Sequence, residues 1–139
     1  MLLTESQERT LKAALDRLIP ADDYPGAWEA GVGDYITRQL EGDSHHLLTS
    51  YRLGLDAMDA EAVTAYGQHF ADLYTARQEA LIANLERGVT GTLWITPAAA
   101  FVSTLIHHAA EGYYAEPAQG GNHGAKSWAM VGFDQAGRP

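Results

Sequence analysis

Apolar residues recur at three- and four-residue intervals along most of the chain, and each run is bounded by capping or breaking residues. Thr4 and Gln7 form a capping box, in which each side chain satisfies the other residue's unpaired backbone N–H. Leu11, Ala14, Leu15, Leu18 and Ile19 then repeat at helical spacing up to Pro20, which predicts a helix over 5–19. Two prolines, two aspartates and a Pro-Gly pair fill 20–26 and predict a structured loop. Trp28, Val32, Tyr35, Ile36 and Leu40 share one face of a second helix that ends near Gly42. A third, capped by Asp43 or Ser44, aligns Leu47, Leu48, Tyr51, Leu55 and Met58, with a pause near Asp59 before Ala62, Val63 and Tyr66.

Thr75 and Gln78 repeat the capping pair ahead of Leu81, Ile82 and Leu85, and Gly88 closes that helix. Thr96 and Pro97 open a fifth helix that reaches Glu111 and is stopped by Gly112. No window sustains period-two alternation. The pattern therefore predicts an all-α fold: one domain over 1–139, a small bundle of about five helices, and a long irregular C-terminal arm over 112–139. In that arm aromatics alternate with turn residues.

Composition narrows the function. The 139 residues are 46% hydrophobic and 19% charged, ordinary for one domain with a real core. A net charge of -9 repels phosphate backbones and anionic lipid, so nucleic acid is not a partner. With no cysteine there is no disulfide, thiolate catalysis, iron-sulfur cluster, Cys-ligated zinc or covalent haem. The uncharged run from Gly88 to Ala110 is interrupted by Gly91, Pro97 and five Thr or Ser residues. Its helical part falls short of the roughly 20 apolar residues that span a bilayer, and no direct membrane insertion is expected. The opening residues show no basic segment followed by an apolar run, which places the chain as written in the cytoplasm.

Charge is unevenly spread. Residues 1–87 hold fifteen acids and seven bases, whereas 88–139 hold three and two, so the second part lacks a normal solvated face. A fifth helix that is apolar or small nearly all round is expected to be buried on every side. The weakly charged, aromatic arm matches either the core of a protein interface or a tail folded back on its own bundle.

Candidate chemistry is sparse. His45-His46 and His107-His108 are adjacent pairs whose rings point about 100° apart on a helix. No His-x-x-x-His or Glu-x-x-His spacing accompanies them, His69 or His123, and the better reading is capping or partner contact. Gly31-Val32-Gly33 begins like a dinucleotide fingerprint, but Ile36 stands at the third glycine and no strand precedes it. Gly120-Gly121-Asn122 and Gly124, with Lys126 as the only nearby base, read as a tight turn rather than an anion nest. Asp22 and Asp23 read as turn and cap acceptors rather than an acid-base pair, and no serine sits in a nucleophile-elbow context.

Two segments carry a resemblance. Arg17-Leu18-Ile19-Pro20-Ala21-Asp22-Asp23, then Pro25-Gly26-Ala27 and Glu29-Ala30-Gly31-Val32, resemble the opening of the gluconate 2-dehydrogenase subunit 3 family. Gly112-Tyr113-Tyr114-Ala115-Glu116-Pro117, Gly120-Gly121-Asn122, Trp128 and Gly132-Phe133 resemble its closing motif. The resemblance implies a small subunit with no catalytic residue, metal or cofactor of its own, bound to a large FAD-dependent oxidoreductase of the glucose-methanol-choline type. That partner oxidises a sugar or sugar acid and passes electrons to a cytochrome subunit or another acceptor. It further implies that Tyr113, Tyr114, Pro117, Gly120, Gly121, Asn122, Trp128 and Phe133 hold the partner, while Pro20, Asp22, Asp23, Pro25 and Gly26 fix the subunit's own loop. Members often carry a twin-arginine leader and escort the large subunit in export, so a trimmed leader would place this chain in the periplasm. Three departures stand out: Gln119 replaces the usual tyrosine, no leader is present, and no proline follows Gly132-Phe133.

Two readings from other classes compete. The chain could be a small helical enzyme or metal-binding bundle using its histidines and Asp22-Asp23, or a scaffold that homodimerises through its arm.

Overall fold

The computed structural model of the chain describes residues 2–22 and 24–115. Among these there are five α-helices and no strand: α1 Glu5–Leu18, α2 Val32–Glu41, α3 Leu48–Tyr66, α4 Thr75–Glu86 and α5 Ala98–Tyr113. Short 3₁₀ turns occupy His45–Leu47 and Phe70–Asp72. The all-α bundle is thus as expected, and the part of the arm beyond Ala115 lies outside the described residues.

The capping box forms as its residue types require. Thr4 Oγ1 accepts from the Gln7 N–H at 3.1 Å, and Gln7 Oε1 accepts from the Thr4 N–H at 2.9 Å. The Gln7 amide also donates to Asp56 Oδ1 at 3.1 Å, pinning the start of α1 to α3. Glu5 and Glu8 in the first turn and Arg17 in the last complement the helix dipole. Leu11, Ala14 and Leu15 are buried, and α1 packs against all four other helices. Around it Ile36, Leu40, Tyr51, Leu55, Met58, Phe70, Leu85, Phe101, Leu105 and Tyr113 complete one core.

Several details differ from the sequence reading. The second helix starts at Val32, not at Trp28, because Gly31 takes φ 94°, a left-handed conformation that breaks the helix and that a side chain rarely adopts. The third helix runs without a pause through Asp59, and Val63 is exposed on its outer side. Thr75 caps nothing: Tyr74 is the N-cap residue, and the Gln78 amide reaches back to the Phe70 carbonyl at 2.9 Å. Pro97 holds the cap position of α5, again without a side-chain bond.

Gly112 does not stop α5, which continues to Tyr113. The glycine is there for close approach: an added Cβ would lie 2.8 Å from Tyr35 Cδ2, so α5 can reach α2 only at a residue without a side chain. Nor is α5 buried all round. Phe101, Val102, Leu105, Ala109 and Tyr113 face the core, whereas Ala100, Ser103, Ile106, His107 and Ala110 are exposed. Helical spacing forces this split, and the lack of charge on the outer face hid it.

Candidate functional site

The root of the arm is built where the two resemblance segments meet. The Tyr113 hydroxyl donates to the Pro25 carbonyl at 2.7 Å, although 88 residues separate them. Tyr113 is buried, and burial, with lesser contributions from Tyr114 and Asp22, pushes its phenol above the ordinary range, so it stays protonated and able to donate. Tyr114 is half exposed and stands edge-on to the Tyr113 ring, with centroids 5.4 Å apart. Of the eight residues assigned to the partner, Tyr113 therefore lies within the fold and Tyr114 at its surface. Pro117, Gly120, Gly121, Asn122, Trp128 and Phe133 lie outside the described residues.

The loop before α2 is held by its own backbone. The Ala27 N–H donates to the Ile19 carbonyl at 2.9 Å, and the Trp28 N–H to Asp16 Oδ1 at 3.2 Å. Asp22 closes a small turn, its Oδ1 accepting from the Tyr24 N–H at 3.0 Å and its own N–H donating to the Tyr24 carbonyl. Asp23 lies outside the described residues.

A second feature escaped the sequence reading. Glu61, buried on α3, accepts from the Gly91 and Thr92 N–H groups at 2.9 Å each, from the Thr92 hydroxyl, and from Trp94 Nε1 at 3.0 Å. Burial pushes the carboxyl up, but these four hydrogen bonds outweigh it and hold it below its ordinary range, as an anion. One carboxylate thus fixes the connection from α4 to α5. On the fixed loop, Leu93 is 93% exposed and Ile95 is 79% exposed. They edge a shallow groove of about 140 Å³ with Leu53, Gly54 and Ala57 of α3. The sequence signal was present in Leu93-Trp94-Ile95, three large apolar residues between Gly91 and Pro97 where no helix can absorb them.

The histidines separate into distinct roles. His108 is buried and shares a 2.6 Å hydrogen bond between Nδ1 and the Tyr51 hydroxyl. Burial pushes its pKa down, Glu111 opposes and His107 adds to the fall, so the ring is held neutral. Tyr51 is held protonated by the same burial, aided by Glu111. His107 pairs instead with Glu111 one helical turn away at 3.1 Å, and His69 with Asp59 at 2.9 Å. His45 and His46 are exposed on the first 3₁₀ turn. Among the described residues no three His, Cys, Asp or Glu side chains gather where they could hold a metal ion. Among them, too, no helix is long and apolar enough to cross a membrane.

Compared with known families, residues 5–135 match the family model described as gluconate 2-dehydrogenase subunit 3. No curated protein and no solved structure matches the chain.

Proposed function

The chain belongs to the gluconate 2-dehydrogenase subunit 3 family, and on that basis we propose that it is the accessory small subunit of a sugar or sugar-acid dehydrogenase. In this reading it binds and stabilises a large, FAD-carrying subunit of the glucose-methanol-choline type and escorts it where the complex is exported. The flavin and the chemistry reside on the large subunit, which hands electrons to a cytochrome or another acceptor.

The observation that carries the reading is the extent of the family match, which takes in both the loop around Pro25 and the arm as far as residue 135. The bond from Tyr113 to Pro25 supports it, because it joins the two segments that bear the resemblance and fixes where the arm leaves the bundle. Beyond that root, Tyr114, Pro117, Gly120, Gly121, Asn122, Trp128 and Phe133 make the contacts with the large subunit. Aromatic residues are efficient anchors because they exclude water over a large area at little entropic cost.

Co-expression tests the reading. The large subunit from the same genome should co-purify with the tagged chain and carry flavin, and each protein's yield should rise in the other's presence. Two proteins that elute apart, each soluble and unaffected by the other, would rule it out.

A further inference from the structure

We propose that the cleft around Arg17, beside the arm root, receives a carboxylate side chain of the large subunit. The proposal rests on the accessory-subunit reading and adds to it a group by which the bundle itself is recognised. Three observations carry it.

The first is an unmatched donor. Among the described residues, Arg17 Nε is the one buried side-chain nitrogen or oxygen with no hydrogen-bond partner. A buried donor without an acceptor gives up its hydration for nothing, and folded proteins keep few of them. The neighbouring acid does not supply the acceptor. Asp16 is engaged by the Lys12 ammonium at 3.5 Å and by the Trp28 N–H at 3.2 Å, and the ion pairs among the described residues leave Arg17 out.

The second is a cleft already shaped around that donor. Arg17 lines about 370 Å³ of space with Lys12, Trp28 and the small residues Ala21 and Gly26. Its walls are fixed by the Ala27 N–H on the Ile19 carbonyl and by the Trp28 N–H on Asp16. Gly26 packs so closely that an added Cβ would lie 3.0 Å from the Ala21 nitrogen. A site ordered before binding loses little conformational freedom on association. The guanidinium presents its N–H groups as a planar fork, which matches the two oxygens of a carboxylate.

The third is charge and position, which select the occupant. Asp16 and exposed Glu29 also border the cleft, and the chain as a whole carries -9. That setting disfavours a doubly charged phosphate and any dilute free anion. It suits a single carboxylate delivered by a protein docked alongside, whose effective concentration at the cleft is high. The arm root supplies the docking. Gly26 in the cleft wall follows Pro25, whose carbonyl accepts from the Tyr113 hydroxyl. Cleft and arm root are therefore continuous, and a protein held by the arm is the one that reaches Arg17.

The test uses the full chain with the co-expressed large subunit. Arg17→Gln removes the charge and the fork, so we expect the lone chain to keep its helicity and melting temperature while flavin-bearing complex falls at least about tenfold. Arg17→Lys keeps the charge without the fork; it should weaken the complex less, and it stands in if Arg17→Gln fails to fold. In the wild type the Arg17 Nε–H resonance should move when the complex forms. Complex undiminished by either folded variant overturns the proposal and leaves the accessory-subunit reading intact. A wild-type chain that forms no complex overturns both. Lone chains of Arg17→Gln and Asp23→Asn that lose stability equally would assign Arg17 to its own loop and overturn the proposal. Acetate that shifts the Arg17 Nε–H of the lone chain, with the complex indifferent to Arg17→Gln, would make the cleft a small-anion site and overturn it too. A wild-type chain that dimerises alone, with Arg17→Gln monomeric and the complex unchanged, overturns it in favour of self-association.

Discussion

Gly112 on α5 lies directly against the ring of Tyr35 on α2, so close that an added Cβ would meet Tyr35 Cδ2 at 2.8 Å. The absent side chain is what lets the two helices meet. Gly112→Ala should therefore destabilise the fold by about 1–3 kcal/mol, the usual cost of overpacking a core. A glycine that merely ended the helix would give the opposite sign, since alanine favours a helix by about 1 kcal/mol. Thermal or urea denaturation followed by circular dichroism reads the difference.

Glu61→Ala removes the single acceptor of four donors. Because water can reach part of the loop, we expect a loss of about 2 kcal/mol rather than the sum of four buried bonds. Faster amide exchange at Gly91 and Thr92 and a red-shifted Trp94 emission should accompany it; unchanged exchange at those two amides would show that the carboxylate does not hold the loop. The native carboxyl lies below its ordinary value of 4.5. Its contribution is thus present above about pH 4.5 and is lost as pH falls through the lower folded value, with the unfolded chain binding the proton first.

His108 gives a second acid limb. Its folded pKa lies below the ordinary 6.5, with Tyr51, His107 and Glu111 as the neighbouring titratable groups. The neutral ring's contribution is complete above pH 6.5 and declines as pH falls from there toward the folded value. His108→Asn keeps an acceptor near Nδ1 and removes the titration, so stability of the variant should vary less with pH from 6.5 down to 5 than that of the wild type. Equal slopes would show that His108 is not the group responsible.

The helices were legible because burial imposes a period that composition alone cannot mimic. Leu11, Ala14 and Leu15 of α1, and Leu48, Tyr51, Leu55 and Met58 of α3, are buried as their spacing requires. What escaped was set by contacts distant in sequence. Gly112 reads as a terminator until Tyr35, 77 positions away, is seen against it. Glu61 looks like any surface acid of a helix until the loop 30 residues on folds over it. Val63 matched the helical period but points outward, because the period does not say which flank of a stripe is covered. Of the residues assigned to the partner, Tyr113 and Tyr114 look equivalent in sequence; in the structure Tyr113 is buried and bonded to the Pro25 carbonyl, whereas Tyr114 is half exposed.

Those two tyrosines should behave differently. Tyr113→Phe deletes the donor to Pro25, should cost about 1 kcal/mol, and should speed amide exchange in the loop over 20–26. Tyr114→Ala, at a half-exposed side chain whose ring stands edge-on to Tyr113, should cost about 1 kcal/mol of fold stability. Its larger effect should appear as weakened capture of the large subunit. Identical profiles for the two variants would dismiss the division between an anchor and a contact.

The most direct test of the account is to purify the full chain with and without the large FAD-type subunit and to measure mass, flavin absorbance and sugar oxidation on the same samples. The account predicts a colourless, inactive lone chain, and a defined hetero-complex in which flavin and dehydrogenase activity co-elute with it. A lone chain that carries stoichiometric flavin or metal and oxidises the sugar, or a large subunit that is fully folded and active without it, would contradict the account.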